Sequence, residues 1–135
     1  MVVLGVVLAL LGVGCGGSGT WGAKALLQQS KSLQSVAAEG ALLAQDAMSG
    51  KTTRIFTRER SSELSHAASE AEASLKAAKA EPGLGEELRL LAAVATQVSS
   101  DVMRLGGASR GEQRSLGREL QAAALESQRI GESLR

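Results

Sequence analysis

Glu63-Leu64-Ser65-His66 is the one stretch of this 135-residue chain whose residue types and spacing suggest a chemical site. On a helix, a carboxylate and an imidazole three positions apart share a face, as they do in di-iron helical bundles. Glu59 and Glu70 fall on nearly the same face. Di-iron sites need that pair twice, with a carboxylate from each remaining helix, and this chain has one histidine. Glu63 and His66 are therefore weak candidates for a divalent ion. The simpler expectation is a solvated face on which Glu63 and Glu70 keep His66 paired as helical neighbours.

Other catalytic arrangements fail sooner. One histidine and one cysteine leave little for nucleophile–base chemistry. No serine stands in a G-x-S-x-G elbow, and no G-x-x-x-x-G-K-S/T loop is present to cradle phosphate. Clustered zinc ligands are missing as well. Gly83-Leu84-Gly85 reads as a connection between helices. The expectation is a protein that is not an enzyme and takes no cofactor.

A second constellation consists of cations. Arg54 and Arg58 have i,i+4 spacing, as do Arg110, Arg114 and Arg118, so each set forms a row on a helix. With Lys51, Arg60 and Arg104 they would gather at one end of a bundle, while Glu81, Glu86 and Glu87 mark the other. Basic residues at helix starts oppose the helix dipole at a cost of about 0.3–1 kcal/mol each. An anionic partner could compensate, with Lys51, Arg54, Arg58, Arg110, Arg114 and Arg118 as its contacts. The alternative is an ordinary solvated surface balanced by Glu59, Asp101, Glu112 and Glu119.

Composition narrows the partner further. The 15 Lys+Arg and 14 Asp+Glu leave a net charge of +1, which gives no footprint for nucleic acid. One Trp, one Phe and no Tyr also leave nothing to stack bases on. After Cys15 the large apolar residues are 16 Leu, 4 Val, 2 Ile and 1 Phe. That supply suits one folded but thinly packed domain of modest stability.

The elements that must carry these residues are helices. Leu84, Leu88, Leu91, Ala95, Val98, Val102 and Leu105 recur at alternating spacings of four and three, an apolar seam along one face. Leu116, Leu120, Ala123, Ser127, Ile130 and Leu134 repeat it, and Leu26, Leu33, Val36, Leu43 and Ala47 fit the same period. Phe56, Leu64, Ala67, Ala71, Leu75 and Ala78 give a fourth, Ala-rich stripe, with Phe56 expected to plug the end of the core. Breaks fall at Ser49-Gly50, Glu81-Pro82-Gly83 and Gly106-Gly107. Thr52 or Thr53 is placed to cap the second helix, and Ser109 with Glu112 has capping-box spacing for the fourth. Short connections make consecutive helices antiparallel neighbours. The expected fold is all-α: an antiparallel up-down-up-down four-helix bundle over 21–135, with Gly40 and Gly117 as points of close helix contact.

Residues 2–14 are apolar or small and too few to span a bilayer, which takes about 20 residues. Their length suits the apolar region of a secretory signal peptide. Leu11-Gly12-Val13-Gly14-Cys15 resembles the lipobox of bacterial lipoproteins, in which a signal peptidase cuts before a cysteine that carries lipid. Val13 and Gly14 match the residues before the cut. Gly12 stands where the pattern prefers Leu, and no Lys or Arg follows Met1.

The resemblance implies that 1–14 is a signal peptide, that Cys15 is the lipidation site, and that 15–20 is a lipidated Gly/Ser tether. A lipid at Cys15 would also account for a lone cysteine in an exported chain. The Ala-, Arg- and Gly-rich helical style looks like small lipoproteins of high-GC bacteria. The expectation is a cell-membrane protein, lipid-anchored on the extracytoplasmic face, acting as an interaction or structural module on an envelope protein or anionic polymer. The alternative is a lipoprotein that binds a small ligand or a divalent metal. Trp21, just past the tether, suits either a membrane interface or the base of the bundle.

Overall fold

The computed structural model describes residues 20–135. The proposed signal segment, Cys15 and nearly all of the tether lie outside the described residues. Four helices follow one another: α1 (Ala23–Met48), α2 (Arg54–Ala77), α3 (Gly85–Leu105) and α4 (Arg110–Ser133). They pack as an all-α helical bundle.

Local chemistry sets the boundaries. Thr53 Oγ1 accepts from the Phe56 amide at 3.1 Å and caps α2. Ser109 Oγ accepts from the Glu112 amide at 3.4 Å and donates to Glu112 Oε1 at 3.0 Å. α3 has no side-chain cap, but Glu86 and Glu87 lie in its positively polarised first turn. After α1 the chain turns through Gly50 at φ +72°, and after α2 through Gly83 at φ +88°.

The helices meet at defined pairs. The Trp21 amide donates to the Lys79 carbonyl at 2.6 Å, and the Glu81 amide donates to the Trp21 carbonyl at 3.0 Å. This ties the start of α1 to the end of α2. Further along, Arg60 bridges to Glu39. Between α2 and α3, the Ser69 and Ser99 hydroxyls lie 2.9 Å apart and Thr96 Oγ1 donates to Glu72 at 3.1 Å. α1 packs most extensively on α4, and α2 on α3. The α1 backbone also comes close to that of α3, whereas those of α2 and α4 stay further apart.

Close approach of α1 and α4 depends on missing side chains. A Cβ on Gly40 would stand 3.0 Å from both Leu120 Cδ1 and Val102 Cγ1. On Gly117 it would lie 3.3 Å from Ala44 Cβ, and on Gly131 2.6 Å from Ser30 Oγ. Gly40 and Gly117 are thus contact points, as expected of glycines inside helices.

Two apolar clusters make the core. One contains Leu26, Leu33, Leu75, Leu91 and Ile130, with Trp21 packed against it; the other holds Leu43, Leu64, Val102, Leu116 and Leu120. Trp21 therefore covers one end of the bundle.

The buried stripe of α2 differs from expectation. Phe56 and Ala67 face solvent, while Thr57, Ser61, Ser65 and Ala68 take the inner positions. Thr57 Oγ1 donates to the Thr53 carbonyl and Ser61 Oγ to the Thr57 carbonyl, each at 2.9 Å. Hydroxyls satisfied within their own helix can be buried at little cost, and small side chains let α2 settle onto α3.

Gly40→Val should lower stability by about 1–3 kcal/mol, because the added methyls must displace Leu120 and Val102. Gly111 has open space around it, so Gly111→Ala should be neutral or raise stability by up to about 1 kcal/mol. Denaturant unfolding of the two variants checks both signs.

Candidate functional site

Residues from the end of α1, the start of α2, the connection between α3 and α4 and the start of α4 meet at one tip of the bundle. A cleft of about 520 Å³ opens there, lined by Arg54, Arg58, Arg110, Thr52, Thr57, Ser109 and the Gly106-Gly107 turn among others. Arg54 and Arg110 are the first residues of α2 and α4, whose starts are capped by Thr53 and Ser109. The carboxylate in the lining, Glu112, is engaged by Ser109.

Among the described residues, none of Lys51, Arg54, Arg58, Arg104, Arg110, Arg114 and Arg118 has a carboxylate within ion-pair distance. Arg60, Lys76, Arg89 and Arg129, by contrast, each have one. The Arg60 guanidinium, held by Glu63 and Glu39, is pushed above its ordinary pKa, the Glu63 hydrogen bond being the largest cause. Among the described residues Lys24, Lys31, Lys79 and Arg135 also lack an ion pair, so what distinguishes the tip is that three unpaired arginines, Arg54, Arg58 and Arg110, share one cleft.

The cation rows do not converge on one point. Arg54, Arg58 and Arg110 share the tip cleft, whereas Arg114 and Arg118 line a groove of about 460 Å³ between α1 and α4, beside Leu42, Met48 and Gly117. Gln113 borders both, and its Oε1 is buried without a hydrogen-bond partner. Lys51 is exposed in the connection before α2 and lines neither.

Apolar side chains are also exposed at the tip, which charge patterning did not reveal. Phe56 does not plug the core: it is 51% exposed, beside Ile55 at 71%, with Met103 on α3 at 65%. The available signal was the row Thr53, Thr57, Ser61, which turns a hydrogen-bonded small-residue face inward and rotates its neighbours outward.

Glu63 and His66 are not brought together as ligands. Glu63 binds Arg60, and His66 Nε2 lies 3.1 Å from Glu70 Oε1, both groups being largely exposed. Among the described residues no group of three or more His, Cys, Asp or Glu is placed to hold a metal ion.

Asp101 is a correction to the surface reading. It is 1% exposed, with Gln97 Nε2 donating to Oδ2 at 2.9 Å. Burial pushes its carboxyl above the usual range and the nearby Glu119 carboxylate adds to this, while the Gln97 hydrogen bond and Arg104 oppose it. Gln97, one turn earlier on α3, satisfies the carboxyl locally and makes burial tolerable. Asp101 is thus not an exposed counter-charge for the tip.

No family model, no curated protein and no solved structure matches this chain. Among the described residues, no helix is long and apolar enough to cross a membrane.

A raised folded-state pKa means that Asp101 favours folding most when protonated. Its contribution is full below the unfolded carboxylate pKa and is lost as pH rises through the folded value. Asp101→Asn should therefore raise the thermal midpoint at pH 7 and leave it nearly unchanged near pH 3. Calorimetry at both pH values checks the sign.

Proposed function

We propose that this chain is a lipid-anchored, extracytoplasmic module that acts by contact and performs no catalysis. Cys15 carries the lipid, residues 1–14 are removed as a signal peptide, and 15–20 form the tether. The domain is an up-down-up-down bundle. The pairings of residues 30, 40 and 44 of α1 with 131, 120 and 117 of α4 support this, as do 69 with 99 and 72 with 96 between α2 and α3.

In this arrangement Trp21 and the Glu81-Pro82-Gly83 turn face the anchoring membrane. α1, with 26 residues, carries the tip about 39 Å away at 1.5 Å per residue. There the module binds an anionic partner. The observation that carries the reading is the cleft of Arg54, Arg58 and Arg110, whose cations have no internal partner. Lys51, Arg114 and Arg118 extend the positive field around it.

The small-ligand or divalent-metal reading has less support. Leu120 and Val102 already fill the space that Gly40 leaves between helices, and Glu70 occupies His66.

Two measurements test the proposal. Mass spectrometry of the cell-derived protein should find residues 1–14 absent and lipid on Cys15; a retained segment with a free thiol overturns the anchor. Arg54→Ala/Arg58→Ala/Arg110→Ala in the full chain should weaken binding of inorganic polyphosphate at least tenfold at low salt and flatten its salt dependence. Unchanged binding overturns the tip as the contact.

A further inference from the structure

The anionic partner can be specified from the apolar residues that accompany the cations. We propose that the tip docks onto the anionic phospholipid surface of a second bilayer, facing the one that anchors the chain, with Ile55, Phe56 and Met103 entering the headgroup layer and nearby guanidinium groups meeting lipid phosphates. This rests on the anionic-partner reading of the same tip.

Ile55 and Phe56 lie in the first turn of α2, between Arg54 and Arg58. Met103 of α3 lines a groove with Arg58 and Ser62 and is followed by Arg104. Met103 thus shares a groove with Arg58, and Ile55 and Phe56 are exposed on the first turn of the helix that carries Arg58. Large exposed apolar groups ringed by polar ones mark contact surfaces.

The kind of surface follows from shape and charge. An anionic polymer would engage the cations and leave Ile55, Phe56 and Met103 in water. A protein partner is best held through recessed apolar pockets, and the neighbouring tip cleft instead carries arginine, threonine and serine in its lining. Protruding apolar residues set among arginines match a bilayer interface, where side chains enter the acyl boundary and cations stay at phosphate level. Arg54, Arg58 and Arg110 share the cleft and Arg104 follows Met103, which makes four cations near these side chains, the lower end of the roughly four to eight that a basic lipid-binding cluster uses.

The full chain, mixed with vesicles of phosphatidylcholine alone or with phosphatidylglycerol added, tests this through backbone hydrogen exchange at 54–62 and 101–108. The neutral vesicles report whatever the rest of the chain contributes. Exchange in both segments should slow at least fivefold with the anionic vesicles relative to the neutral ones. High salt, or Ile55→Ser/Phe56→Ser, should abolish that difference, while the double variant still binds inorganic polyphosphate like the parent. Equal exchange in the two lipids, or a double variant protected like the parent, overturns the lipid surface. Polyphosphate binding without vesicle protection removes this inference and leaves the anionic-partner reading, with a polymer or an acidic protein as the partner. Binding of neither removes both.

Discussion

The fold depends on how closely two helix backbones can approach where no side chain intervenes. At Gly40 the space of a missing Cβ is taken by Leu120 from α4 and Val102 from α3, so one glycine lets three helices interlock. Gly117 against Ala44 and Gly131 against Ser30 extend the seam in both directions. Glycine inside a helix costs about 1 kcal/mol relative to alanine, so such positions persist only where contact repays it. Close backbones also explain how a chain with few large apolar residues can build a core.

The second helix pair is held differently. On its inner face α2 presents only Leu64 and Leu75 as large apolar residues, together with alanine and hydroxyl groups. It is fastened by Ser69 to Ser99, by Glu72 to Thr96 and by Arg60 to Glu39. Polar bonds of this kind contribute about 1 kcal/mol each at most once water is accounted for. The tip cleft thus opens between a tightly interlocked pair and a lightly fastened one, and α2 is the element whose rotation decides what the tip displays.

That rotation is also what the sequence conceals. The seams of α3 and α4 were legible because Leu, Val and Ile recur at three and four with nothing competing. In α2 the apolar residues Phe56 and Ala67 drew the stripe to the wrong side. The inward face is written in threonine and serine, whose burial depends on hydrogen bonds to carbonyls one turn back rather than on hydrophobicity. The cation rows were legible as spacings, but their destinations were not. Each i,i+4 step turns about 40° further round a helix of 3.6 residues per turn. From Arg110 to Arg118 that drift carries the row out of the tip cleft and into the groove beside α1. Burial of Asp101 had a faint signature in Gln97 four residues earlier, which becomes meaningful only once α4 brings Glu119 alongside.

Charge by itself does not make the tip a binding surface. Its arginines are exposed and water solvates them well, so their opposition to the helix dipoles costs only a few tenths of a kcal/mol to about 1 kcal/mol each. The bundle can carry that cost without a partner. Apolar exposure alone would decide nothing either, since single apolar residues are common on protein surfaces. The conjunction is more informative. Where Thr57 turns inward, Ile55 and Phe56 must turn outward, and they emerge beside Arg54 and Arg58, where no carboxylate is in reach. Asp101, an acid on the neighbouring turn of α3, is withdrawn into the core, where burial weakens its tendency to ionise. The packing that satisfies the inner face of α2 thereby produces an outer end that is both apolar and uncompensated in charge, the two properties that a hydrated anionic interface can satisfy together.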